Sequence, residues 1–188
     1  MNQPSSDPRR DQRGDPADPS TRKVTIENAA LDTIRAEVDS SSPHLETGGI
    51  LLGHPATDSA PLHVIVAGEP GPHAVHQPRR FSRDPVHAQA LADRAFNDHG
   101  AVWIGEWHTH PATGLHPSDL DLCAYLSHLA DPELAFTEFL SLIVAGTHDG
   151  PGVAAWIVTR THLFEAHLGL GDQVDADGRP TLRRLRRR

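Results

Sequence analysis

The sequence predicts an α/β domain in which one layer of β-sheet carries helices. Three observations lead there. A chain of 188 residues and 20.4 kDa can bury one sizeable core but not two. Its hydrophobic share of 37% against 22% charged lets the middle of the chain fold without covalent staples, and the single cysteine, Cys123, excludes both a disulfide framework and a zinc site built on CxxC pairs. Finally, three stretches of helical periodicity are interleaved with six short apolar runs of strand length.

Residues 1–22 are rich in Pro, Asp, Ser and Arg and hold almost nothing apolar, so they read as a disordered lead-in. From there the elements follow in order. Ala30, Leu31, Ile34 and Val38 recur at helical spacing and predict a helix over 27–39, stopped by Ser40-Ser41-Ser42-Pro43. TGGILLGH at 47–54 is a buried-strand run, and LHVIVAG at 62–68 is a second strand joined to it by a Pro- and Asp-containing hairpin loop. Asp84-Pro85 starts a helix, because proline at the first helical position loses no hydrogen bond. Val86, Ala90, Leu91 and Phe96 mark its apolar face, and Gly100 its C-cap. AVWIGEWHTH at 101–110 is a strand ended by Pro111. A third helix over 118–129 carries Leu122, Tyr125, Leu126 and Leu129 as its stripe. Strands are expected near 138–146, 152–159 and 162–168. The folded domain then spans 23–170, and 171–188 reads as a basic flexible tail ending in TLRRLRRR.

The formal net charge of −8 conceals a division. Residues 24–178 hold 21 acids against 6 arginines, whereas the two ends together hold 4 acids against 11 bases. The acidic body argues against a nucleic-acid surface, which needs clustered positive charge. No run of eighteen apolar residues is present, so no membrane span is expected. The first residues lack the apolar stretch of a secretory signal, which makes the cytoplasm the expected location.

The informative stretch is His108-Thr109-His110-Pro111, six residues, then Ser118-Asp119-Leu120-Asp121. Side chains two apart on a strand share a face, so His108 and His110 can meet one metal ion. Asp121, at the start of the next helix, can fold back as a third ligand. Two nitrogens, one carboxylate and an open fourth position make a catalytic rather than a structural zinc site. With fourteen histidines in the chain, about one HxH is expected by chance, but the full set has a chance expectation on the order of 5 × 10⁻⁴. Ser118 and Asp121 also fit a capping box, and a capped helix start is a rigid mount for a ligand.

This HTHP-x6-SxxD segment resembles the signature of the JAMM (MPN+/JAB) metallopeptidases, and LETGGILLG at 45–53 resembles their upstream glutamate segment. The resemblance runs from about residue 24 to 168. It implies a cytidine-deaminase-like mixed β-sheet flanked by helices. It implies that His108, His110 and Asp121 bind Zn²⁺ with water as fourth ligand, that Glu46 is the general base, and that Ser118 helps to stabilise the oxyanion. Without the family pattern, Glu46 reads as an exposed loop carboxylate.

Relatives of the prokaryotic branch imply a partner: a ubiquitin-like protein or a sulfur carrier of the ThiS/MoaD type, hydrolysed after its Gly-Gly tail, in company with activating and conjugating enzymes. Two other readings stand beside this one. A metal-free MPN-type scaffold would lack the motif residues, all of which are present. A RadC-like, DNA-associated role would call for an N-terminal helical region that residues 1–23 cannot form. Deaminase chemistry fails for want of a PCxxC segment.

The remaining chemistry-bearing residues have plainer readings. Glu106 falls on the histidine face of its strand and reads as a solvated carboxylate in preference to a support for the metal site. Cys123 reads as a small buried apolar residue. His116, Asp119 and His128 read as surface, and Arg79, Arg80 and Arg83 in QPRRFSRD as a solvated loop, with a clamp for an acidic substrate segment as the alternative.

Overall fold

A computed structural model describes residues 22–112, 114–147 and 150–171. The lead-in 1–21 and the basic tail 172–188 lie outside the described residues. The elements run β1 (Arg22–Ile26), α1 (Asn28–Ser40), β2 (Gly48–His54), β3 (Leu62–Ala67), β4 (Val75–Gln77), β5 (Arg80–Ser82), α2 (Pro85–His99), β6 (Val102–His110), α3 (Asp119–Ala130), β7 (Phe139–Thr147), β8 (Gly150–Val158) and β9 (Leu163–Leu170). This is the expected mixed α/β architecture, with three helices on one sheet. No described helix is long and apolar enough to cross a membrane.

The sheet order is β1-β3-β2-β6-β7-β8-β9, and the sheet curls until β9 also pairs with β1. Strand β6 lies in the middle, antiparallel to β2 and parallel to β7. Strand β1, which the sequence reading placed partly in the disordered lead-in, begins at Arg22 and runs parallel to both β3 and β9. Five residues with only Val24 and Ile26 fully apolar give too short a signal to identify from periodicity. Both are completely buried once paired.

The sheet is covered on both faces, which is why GILLG in β2 reads as an unbroken apolar run rather than an alternation. Leu51 joins the α1 side, where Ala30, Leu31 and Ile34 pack with Val64, Trp107 and Leu142. Its neighbours Ile50 and Leu52 join the opposite side, with Ala95 and Leu91 of α2. On that same side α3 buries Tyr125 and Leu129 against Phe139 and Val158. The α1 stripe is therefore the one expected, but the other two helices differ. Val86 and Phe96 of α2 are 78% and 60% exposed, and Ala95 is its fully buried contact; Leu126 of α3 is 44% exposed. A helix lying over a curved sheet buries a narrower stripe than its apolar residues suggest.

A bulge in β6 matters for the site. Between Leu51 and Leu52 of β2 the partner advances from Gly105 to Trp103, so Ile104 is the extra residue. This reverses the alternation, placing Ile104 with Trp107 in the α1-side core and leaving Trp103 on the α3 side.

Candidate metal centre

The site forms where β6 ends and α3 begins. Strand β6 carries His108 and His110 on one face and Trp107 on the other, where the indole is fully buried and donates to the Gly68 carbonyl at 2.9 Å. Strand β2 approaches closely because Gly48 faces His108: a Cβ there would collide with the Trp107 carbonyl and sit 2.8 Å from the His108 Cβ. Thr47 locks this register, since Thr109 N donates to Thr47 O at 2.8 Å and Thr47 N donates to Thr109 Oγ1 at 2.9 Å. Thr47 Oγ1 also donates to Glu37 of α1 at 2.7 Å. The preceding residue, Glu46, is thereby set beside the two histidines.

Between β6 and α3, the connecting loop is pinned by Trp156, whose indole donates to Leu115 O at 2.7 Å and lies tilted against the His116 ring at 4.3 Å between centroids. The α3 start is a complete capping box. Asp121 N donates to Ser118 Oγ at 3.2 Å, while Ser118 N and Oγ both donate to Asp121 Oδ2 at 2.7 Å. Both readings of this segment hold together: the cap that starts the helix also presents the Asp121 carboxylate to the strand.

His108, His110 and Asp121 converge, with ligand atoms all within 4.8 Å of one another, and they could hold a metal ion. The two Nε2 atoms are 2.9 Å apart, His110 Nε2 is 3.3 Å from Asp121 Oδ2, and His108 Nε2 is 3.6 Å from Asp121 Oδ1. The donor set fits such an ion. His110 Nδ1 donates to the Gly114 carbonyl at 3.0 Å, which leaves the Nε2 lone pair for the cation. His108 Nδ1 is the one buried side-chain polar atom without a hydrogen bond among the described residues, and its nearest carboxylate is Glu106, at 3.9 Å.

Burial alone would raise the Asp121 carboxyl, but the neighbouring His108 and His110 rings and the Ser118 hydroxyl hold it well below the usual carboxylate range. Burial pushes His110 down, yet the Asp121 carboxylate and the Gly114 carbonyl outweigh it and leave the imidazole raised. Glu46 is buried to 9% exposure, and that burial raises its carboxyl above the ordinary value despite the attraction of His108 and His110. Its loop is not the exposed one that composition suggests. Glu46 N donates to Gln77 O at 2.9 Å, and its own carbonyl accepts from His76 Nδ1 at 2.9 Å, so the β4–β5 hairpin covers it.

Two lobes of a cleft meet at Glu46. A cavity of about 580 Å³ contains Glu46, His108 and Asp121 between the hairpin and α3; another, of about 740 Å³, holds Glu46, His110 and Ser118. Several plain readings change here. Glu106 is not a solvated carboxylate: it lines the first lobe and forms an ion pair with Arg83 at 3.0 Å. Arg83 is not solvated either, since it stacks over Trp103 at 5.0 Å. Cys123 is exposed rather than buried and faces the same lobe, because the α3 stripe turns Tyr125 and Leu129 inward. His128 is half-buried against Trp103 and Phe139, whereas His116 and Asp119 remain exposed. The clustering of Arg79, Arg80 and Arg83 was the sequence signal for this wall; its pairing with Glu106 needed the fold.

The chain is 28% identical over 108 residues to a protein of Escherichia coli (strain TW11681) named CD-NTase/cGAS isopeptidase, covering 55% of this chain and 64% of that one. That is less than two thirds of the relative's length. It is 31% identical over 134 residues, 68% of this chain and 81% of the relative, to a protein of Sinorhizobium fredii (strain NBRC 101917 / NGR234) named probable metalloprotease y4qB. The solution structure of protein DSY2949 from Desulfitobacterium hafniense shares the fold, with a TM-score of 0.58 at 23% identity over 81% of this chain and 95% of that one. The family model for prokaryotic homologs of the JAB domain matches residues 27–160, the segment that holds Glu46, both histidines, Ser118 and Asp121, and the chain belongs to that family.

Proposed function

We propose that the chain is a zinc-dependent hydrolase that cleaves a peptide or isopeptide bond after the Gly-Gly tail of a ubiquitin-like or sulfur-carrier-like protein, in a cytoplasmic setting. One observation carries this reading: the His108–His110–Asp121 cluster opens into a cleft that also holds the buried carboxylate of Glu46. The names of the relatives, isopeptidase and metalloprotease, support the reaction class. Zinc held by two imidazoles and a carboxylate supplies Lewis acidity and brings the ionisation of water near neutral pH.

Everything else falls to the chain's own residues. Glu46, buried beside the two histidines and open to the cleft, accepts a proton from the attacking water and returns it to the departing amine. Ser118 holds Asp121 through its hydroxyl and, by rotating about its Cα–Cβ bond, can donate to the developing oxyanion instead. The close covering of Glu46 by the hairpin favours a Gly-Gly segment, because residues without side chains let the substrate backbone come close.

The test uses one preparation of the protein. One equivalent of zinc and cleavage of ubiquitin-like fusions ending in Gly-Gly are expected. Glu46→Ala should retain the metal and lose about 10²–10⁴ in kcat, the usual share of a general base. A metal-free, inert protein would indicate a scaffold instead. Glu46→Gln adds a stability readout. A carboxyl raised on folding contributes stability that is complete below its ordinary value of 4.5 and is lost as the pH rises through the folded value. The neutral variant of the metal-free protein should therefore melt higher than wild type at pH 7, with the difference vanishing below that ordinary value.

A further inference from the structure

The β4–β5 hairpin is a separate two-stranded sheet whose tip, between Gln77 and Arg80, carries Arg79 and Arg80. It is tied to the site by the two backbone-level hydrogen bonds to Glu46, so its tip is held in place over the cleft. Both arginines are exposed and both line the 580 Å³ lobe, while Arg79 also lines the second lobe across Glu46. Neither side chain makes an ion pair or a hydrogen bond with any described residue, although the charge of Arg79 is felt by the Glu46 carboxyl. That is unusual in a body with 21 acids against 6 arginines, where a guanidinium has many potential partners. The third arginine of the segment did find one, Glu106.

Three carboxylates and three guanidiniums line this lobe. Glu106 is neutralised by Arg83, and Asp121 faces the two histidines. Once a divalent cation joins Asp121, the lobe carries about +2 inside an otherwise acidic surface, and such a concave positive region concentrates anions. The surrounding negative body disfavours an extended polyanion such as a nucleic acid but tolerates a single short anionic group.

We infer that Arg79 and Arg80 form a docking point for a carboxylate that the substrate carries beside the scissile bond, so that this lobe selects acidic chain segments. The inference rests on the hydrolase reading and names the substrate chemistry for it. The carboxylate can come from an acidic side chain or from a chain terminus. Planar guanidiniums suit either, since each can present two parallel N–H donors to two oxygens.

Binding is measured separately from cleavage. Fluorescein-labelled peptides carrying Gly-Gly followed by Glu-Glu, Gln-Gln or Lys-Lys, each with a free or an amidated C-terminus, are titrated by anisotropy with the zinc-loaded protein in a Glu46→Ala background, which stops cleavage during the titration. The Glu-Glu peptides should bind about tenfold tighter than the Gln-Gln peptides, the scale of one charge-assisted contact. The Arg79→Glu/Arg80→Glu variant, whose exposed tip leaves the melting temperature unchanged, should lose that preference and favour Lys-Lys. A Glu-Glu preference that persists between the amidated peptides assigns the carboxylate to the side chain; a loss of affinity on amidation that is alike for Glu-Glu and Gln-Gln assigns it to the chain terminus. Binding that changes neither between the Glu-Glu and Gln-Gln peptides nor on amidation, a carboxylate preference that survives the double variant, or stronger competition by a single-stranded oligonucleotide would overturn the inference. Cleavage of Gln-Gln fusions without selectivity would leave the hydrolase reading standing. Selective binding with no Glu46-dependent cleavage would sink that reading and spare the docking site.

Discussion

Helices α2 and α3 both begin on a side-chain cap, and the two caps have different fates. At α2, Asp84 accepts from Val86 N and His87 N at 3.0 and 3.2 Å through one oxygen and from His73 N at 3.2 Å through the other. Its carboxylate is fully engaged with backbone, and no second group competes for it. At α3, Ser118 takes the capping position and Asp121 closes the box with one oxygen, leaving the carboxylate edge open towards His108 and His110. The same local chemistry of short polar side chains at a helix start thus has only a structural role in one place and, in the other, presents a carboxylate to a cluster that could hold a metal ion. What separates them is the neighbour. The α2 start faces the loop before the hairpin, whereas the α3 start faces the end of the central strand.

The largest expected effect comes from Asp121→Asn, which keeps an acceptor for Ser118 N but removes the charge offered to a cation. Metal affinity measured by chelator competition should fall by more than about a hundredfold, beyond the range that supporting residues command. Circular dichroism should still show α3 intact. Wild-type affinity in this variant would erase the distinction between the two caps.

Glu106→Gln sharpens the comparison on the strand side. The Glu106 carboxylate is the closest carboxylate to the orphaned His108 Nδ1, so weakening it should lower metal affinity about tenfold. An unchanged affinity would show that the Arg83 pair alone accounts for the carboxylate.

The smallest effect belongs to Asp84→Ala. Losing this cap should lower the melting temperature by about 2–4 °C and leave metal content and cleavage as they were. Burial works to raise the Asp84 carboxyl, but the three backbone N–H groups prevail and hold it below its ordinary 3.8. Its contribution is therefore present above that value and lost as the pH falls through the depressed one, so wild type and variant should converge in acid. A loss of metal from Asp84→Ala would mean that both caps serve the site.

Much of this was legible in the residues. The three helices, the β2–β3 hairpin and the strand bearing the two histidines follow from periodicity and from turn and cap residues, which act over a few positions. The cluster itself was legible because strand alternation and one helix start fix three candidate ligands within fourteen residues. What escaped was whatever depends on partners distant in sequence. Strand β1 is too short to announce itself and is stabilised by β3 and β9, some forty and one hundred and forty residues away. The Ile104 bulge arises from the mismatch of β6 with β2. Glu106 looked solvated because its partner, Arg83, lies on another element.

By itself, then, the sequence determined which groups could bind a cation, since residue type and local geometry decide what a side chain can offer. Only the tertiary structure decided that Glu46 is buried beside those groups, that Cys123 faces the cleft, and that two arginines stand over it without partners. Burial, charge pairing and the shape of a cleft are properties of packed neighbours. They come into being when β2, β6, α3 and the β4–β5 hairpin meet, and no one of these segments carries them alone.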